Sequence, residues 1–152
     1  MVKFNPLGFL FLCIIMIPNI IFAIKNKDAF ENSIQKKWFK ILEVFEQVGR
    51  YGCFFCMMFD ISGTCFGFSS NFSFRICLVI NGILILNYCL IWITHFRKNN
   101  LFRGIFLSVI PSIIFLFNGV MSKSILLIIF AIIFAPCHIA ISIMNTKKNL
   151  VY

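Results

Sequence analysis

Hydrophobic residues in this chain gather into five long runs separated by polar connectors. The runs fall at 6–24, 48–68, 74–94, 104–121 and 125–144. Each is close to the ~17–25 residues a helix needs to cross a bilayer. Hydrocarbon offers no water to backbone groups, so each run is expected as a helix that satisfies its own amides and carbonyls. Ten-residue stretches of alternating polarity, the mark of a membrane barrel, are absent. The stretch 104–144 is the most apolar, with only Lys123 and His138 able to carry charge.

A different pattern occupies 29–47. Phe30, Ile34, Trp38, Ile41, Leu42 and Phe45 recur at three- and four-residue steps, while Gln35, Lys36, Lys37, Lys40, Glu43 and Glu46 fill the positions between. This is an amphipathic helix. Such a helix lies flat at the headgroup boundary; the alternative is a plain cytoplasmic extension of the second run. The expected fold class is therefore all-α: a polytopic transmembrane helix bundle of about five spans plus one interfacial amphipathic helix, a single integral membrane domain over 1–152. Pro18, Pro111 and Pro136 lie inside runs and are expected to bend them, because proline removes a backbone donor.

Composition agrees with this reading. The chain is 61% hydrophobic and 12% charged, against roughly 45–50% and 25% for a soluble domain. No polar sequence is left over for an aqueous domain. The heavy use of Ile, Phe, Asn and Lys reads as AT-rich bacterial coding bias. Lys25, Lys27, Lys36, Lys37 and Lys40 follow the first run, Arg97, Lys98 and Arg103 the third, and Lys147 and Lys148 the fifth. The opposite ends carry only Lys3, Arg75 and Lys123. Positive connectors stay cytoplasmic. The chain is thus expected in the cell membrane as a multi-pass protein, N-terminus outside and C-terminus cytoplasmic, as an odd number of spans requires. The net charge of +9 then meets anionic lipid headgroups of the bilayer; nucleic acid is not an expected partner, since no compact basic domain exists. The first run has the look of a signal peptide, but it lacks a small-x-small cleavage site and is followed directly by Lys25 and Lys27. It is read as an uncleaved first helix.

The informative residues are polar ones at depth. Glu46 and Arg50 stand four apart, so they share a helix face and can pair; Glu43 lies on the same side. Gly49 and Gly52 flank Arg50 and let another helix come close. Asp60 lies ten residues on. A charge at mid-bilayer costs at least ~2.5–3.5 kcal/mol, so it is paired, solvated or functional. Arg50 has a structural reading, snorkelling to the headgroups with Glu46 as partner. Asp60 has one too, a place near the outer surface, because Ser62-Gly63-Thr64 can end the helix. His138 follows Pro136: it is a proton relay or ligand, or it satisfies the carbonyl that the proline frees. Asn81, Asn87 and Asn118 read as interhelical hydrogen-bond donors.

Seven cysteines are present. Cys53 and Cys56 form a CxxC inside a span. Beside a strand in a soluble protein that spacing signals thiol redox chemistry; inside a helix, cysteine is a small apolar residue that packs well. Cys65 and Cys77 flank an outer connector and could be joined there. No second pair has zinc spacing and no histidine is close in sequence, so no metal is expected. Walker, dinucleotide, HExxH and GxSxG patterns are all missing. So is an internal repeat, which leaves an inverted-repeat transporter unsupported.

The stretches NPLGFLFLCIIMIPNII, ENSIQKKWFKILEVFEQVGRYG, IPSIIFLFNG and IIFAIIFAPCHI resemble a family of small uncharacterised multi-pass integral membrane proteins of low-GC Gram-positive bacteria, and the polar EQVGRYG is their most specific part. The resemblance implies location and topology and no activity. The expected function is that of a small accessory, immunity-type or transport-related membrane protein whose working group is Glu46–Arg50, with Glu43, Asp60 and His138 as further candidates. The rival is a membrane thiol–disulfide oxidoreductase using Cys53 and Cys56. No cofactor is expected; partner proteins and oligomeric state leave no mark in the sequence.

Overall fold

The computed structural model of the chain describes residues 2–25, 37–94 and 101–151, with side chains for all of these but 22, 23, 25, 101–103 and 147–151. Among the described residues there are five helices and two three-residue strands. In chain order these are β1 (Val2–Phe4), α1 (Pro6–Lys25), α2 (Lys37–Met58), β2 (Phe59–Ile61), α3 (Asn71–Thr94), α4 (Leu101–Met121) and α5 (Ile125–Val151). The fold is all-helical in its main body, as the hydrophobic runs require. Among the described residues three helices are long and apolar enough to cross a membrane: Asn71–Thr94, Gly104–Met121 and Ile125–Thr146.

Consecutive helices run in opposite directions. The amide of Asn5, at the start of α1, donates to the Met58 carbonyl at the end of α2 (2.8 Å), and the Ile125 amide at the start of α5 donates to Thr64 (2.8 Å). These contacts gather the starts of α1, α3 and α5 and the ends of α2 and α4 at one end of the bundle, called here the cap. Around the bundle each helix packs on the next in the order α1, α2, α5, α4, α3, and α3 returns to α1.

The cap accounts for the main departure from the sequence reading. The second span was expected as a helix over 48–68. The helix instead ends at Met58, and residues 59–61 become a strand paired antiparallel with β1, Lys3 opposite Asp60. Two features stop the helix. The β1 strand offers residues 59–61 a ladder of backbone partners, and Gly63 takes a positive φ of 97°, a conformation glycine adopts at little cost. The Thr64 and Cys65 amides then fold back on the Ile61 carbonyl. At its other end α2 begins eleven residues earlier than expected. Residues 37–47, read as part of a separate amphipathic helix, continue into 48–58 without a break. Residues 29–36 of that amphipathic stretch lie outside the described residues, as do Lys27, Arg97 and Lys98.

Small residues set the closest helix crossings. A Cβ on Gly49 would lie 2.8 Å from the Phe134 amide nitrogen, and one on Gly52 would strike the Phe130 ring. These glycines let α2 and α5 approach to backbone contact. Gly119 does the same between α4 and α5, where a Cβ would meet Ile128 at 2.9 Å. Lys123 makes the tight α4–α5 turn with a φ of 50°. Two apolar clusters fill the interior. One joins Leu12, Cys53, Met57, Phe115, Leu127, Ala131 and Phe134; the other joins Ile15, Ile85, Tyr88, Trp92, Ile110 and Ile114. The outer surface is apolar as well: Ile17, Trp38, Val48, Leu86, Ile93 and Ile132 are all exposed. Soluble monomers rarely show continuous apolar surface of this kind. Pro18, Pro111 and Pro136 each sit within an uninterrupted helix.

Candidate functional site

The glycine contacts fix the register between α2 and α5. Gly52 faces Phe130 and Gly49 faces Phe134. One turn further on, Glu46 therefore faces His138, because the two helices are antiparallel. The Glu46 Oε1 lies 2.9 Å from His138 Nδ1 and also accepts a charged hydrogen bond from Arg50 on its own helix. Phe134 stacks on the His138 ring, centroids 4.6 Å apart and nearly parallel. Glu46 is only 3% exposed, whereas the Arg50 and His138 side chains are 33% and 23% exposed. One carboxylate oxygen thus gathers a guanidinium and an imidazole.

Depth follows from helix rise. Glu46 is about 18 Å from the cap end of α2, and His138 about 20 Å from the cap end of α5, at ~1.5 Å per residue. The Glu46–Arg50 pairing offsets part of the desolvation cost of burying either charge inside the bundle. His138 spends its Nδ1 on Glu46, so the reading in which it serves the carbonyl freed by Pro136 does not describe that nitrogen. The sequence found all three residues but linked only Glu46 with Arg50; the 92-residue separation of Glu46 and His138 is bridged by packing alone.

The polar track continues along α5 in hydroxyl residues that the sequence reading passed over. Ser142 donates to the Gly104 carbonyl on α4 (2.7 Å), and Thr146 donates to the Ser142 carbonyl (2.8 Å). His138, Ser142 and Thr146 recur every fourth residue, a spacing that places them on one face.

The other candidates stand apart. Glu43 is half-buried one turn below Glu46, with no hydrogen bond or ion pair among the described residues. Asp60 is in β2 at the cap, where the Cys65 thiol donates to its Oδ1 (3.6 Å). It borders a small cavity of about 40 Å³ also lined by Asn5, Cys56, Cys77, Asn118 and Ser122. Cys53 and Cys56 are buried, 0% and 6% exposed, and all seven cysteines are free thiols. Cys65 and Cys77, expected as a possible outer pair, bond elsewhere: Cys65 to Asp60 and the Ser122 carbonyl, Cys77 to Asn118 Oδ1. Among the described residues no three metal-ligating side chains come together.

Of the three asparagines, two meet across helices. Asn81 and Asn118 exchange both amide hydrogen bonds (3.1 and 2.9 Å). Asn87 does not reach another helix; its amide donates to Ile83 of its own helix (2.9 Å) from an exposed position. An interhelical contact that sequence reading missed joins the Tyr88 hydroxyl to Asn19 Oδ1 (2.9 Å). No protein-family model matches this chain, and no curated protein or solved structure matches it either.

Proposed function

We propose that this chain is a multi-pass cell-membrane protein with a transport-related role, built around the Glu46–Arg50–His138 group. The observation that carries the reading is a buried carboxylate on α2 that takes hydrogen bonds from a guanidinium and an imidazole, the imidazole supplied by α5. Ionisable residues within an apolar bundle are expensive to keep, and they mark pathways for ions or protons.

The alternation of helix direction supports a reading with five crossings. Three helices have the length and hydropathy to span, and α1 and α2, of 20 and 22 residues, run beside them and antiparallel to their chain neighbours. The end opposite the cap bears Lys25, Lys37, Lys40, Arg103, Lys147 and Lys148. It is assigned to the cytoplasm and to anionic headgroups. The cap and the N-terminus then face outward.

Two measurements test this. Reporter fusions should place the 62–70 loop and the Lys123 turn outside and the C-terminus inside; both tails in one compartment would end the five-pass scheme. In cells, Glu46→Gln and Arg50→Lys should accumulate in the membrane at normal level yet behave as the gene deletion does. If protein level falls with activity in both, the cluster is structural.

A further inference from the structure

The stripe of α5 that faces α2 and α4 changes character at His138. On the cap side it presents Leu127, Ala131 and Phe134, at 2%, 0% and 2% exposure, sealed by Cys53, Met57 and Phe115. Beyond His138 the same stripe presents Ser142 and Thr146, both half-buried. Each spends its hydroxyl hydrogen on a carbonyl, which leaves its oxygen lone pairs free to accept from water. The α4 backbone packs closely on them at Gly104, where a Cβ would fall on the Thr146 hydroxyl. A fully buried apolar plug thus lies on one side of the charged cluster and half-buried hydroxyls on the other.

We infer that Glu46–Arg50–His138 is a proton-exchange site reached from the end opposite the cap along Ser142 and Thr146, with His138 as the group that gains and loses the proton. This rests on the function proposed above and names the transported or coupling species. Glu46 already answers Arg50, so the cluster is neutral while His138 is neutral and carries one positive charge when the ring is protonated. Proton uptake leaves the Glu46–His138 hydrogen bond in place and turns its imidazole into a charged donor. No bond other than N–H is made or broken. The titratable groups nearest the site are Arg50 and, one turn away, Glu43 on α2, Cys137 beside His138 on α5 and Tyr88 on α3. From α1 the one described titratable side chain is Cys13, and α4 contributes none among the described side chains.

Two experiments on the full chain in lipid nanodiscs or native membranes decide it. The chain has two histidines, so ¹⁵N-histidine NMR of the His95→Gln protein reports His138 alone. Its ring signals should move reversibly between neutral and charged forms as pH is varied, and Glu46→Gln should lower its proton affinity at least tenfold while the rest of the spectrum is kept. Ring signals that stay constant from pH 5 to 9 would overturn the proposal. Ser142→Cys, read by mass spectrometry of its own peptide, should react with a membrane-impermeant methanethiosulfonate from the C-terminal side at least tenfold faster than native Cys53. Labelling from the cap side, or a rate as low as that of Cys53, overturns this route. A failure here with intact five-pass topology removes the proton assignment alone. A titrating His138 in a chain whose tails share one compartment removes the topology alone.

Discussion

Two polar clusters lie inside this bundle, and they are built on different terms. On the α3–α4 side, Asn81 and Asn118 form a closed pair. Each amide donates to the other, Asn81 also donates to the Cys77 carbonyl (2.8 Å), and Asn118 donates to the Ile114 carbonyl (2.7 Å). Asn81 is 0% exposed. The pair is neutral, and each of its amide hydrogens has a protein acceptor. On the α2–α5 side one carboxylate oxygen carries two cationic or ionisable partners, and Arg50 retains N–H groups without a protein acceptor among the described residues. The first cluster works as interhelical glue. The second keeps hydrogen-bonding capacity in reserve, which glue does not need.

The largest effect should come from breaking the charged cluster on one side. Glu46→Leu leaves Arg50 unneutralised in an apolar setting and should cost about 3–5 kcal/mol, while the double change with Arg50→Leu should recover most of it. Reversible unfolding in mixed micelles reads both. Equal stability of the single and double variants would mean that the two charges are already in water. Next comes the spacing that makes the cluster. Gly49→Ala pushes a methyl onto the Phe134 backbone and should cost about 1–3 kcal/mol. It should also loosen the Glu46–His138 bond, seen as a changed His138 ring signal; a spectrum like that of the parent would show that the close approach at Gly49 is not what holds the register.

The neutral pair should be milder. Asn81→Ala and Asn118→Ala should couple by roughly 0.6 kcal/mol and by no more than about 1.7 in a double-mutant cycle, as polar contacts between membrane helices do. A coupling above that range would erase the contrast between the two clusters. Asn87→Ala serves as the reference: its side chain bonds only its own helix, and its change should fall within about 0.5 kcal/mol of zero, like other surface substitutions. Maleimide labelling after denaturation, with and without reductant, should find Cys53 and Cys56 as free thiols in growing cells. An oxidised pair would revive the oxidoreductase reading.

What could be read from the sequence divides along the same line as what is local and what is not. Four of the five helices have one end, at Pro6, Thr94, Met121 or Ile125, where the hydrophobic runs place it, because twenty apolar residues are a local property. The Glu46–Arg50 pair was readable for the same reason, as an i,i+4 spacing. The end of α2 was legible only in part. Ser62-Gly63-Thr64 marked a stop, but the strand that captures 59–61 and ends the helix at Met58 comes from residues 2–4, more than fifty positions away. His138 looked solitary for a similar reason. Its partner is fixed by Gly49 and Gly52, whose small size was visible, while the helix that packs on them was not. Asn87 erred in the other direction: an asparagine on a helix signals a hydrogen bond, and only the fold reveals that this one turns back on its own backbone.

The short β1–β2 ladder has a consequence for biosynthesis. Residues 2–4 are made before their partner at 59–61, which leaves the ribosome roughly 3–11 s later at ~5–20 residues per second. The β1 strand must therefore wait unpaired until α2 is complete, and the first two helices become tethered as one hairpin only then. A bulky tag fused ahead of Val2 would obstruct that late closure, whereas an extension after the final helix would leave it undisturbed.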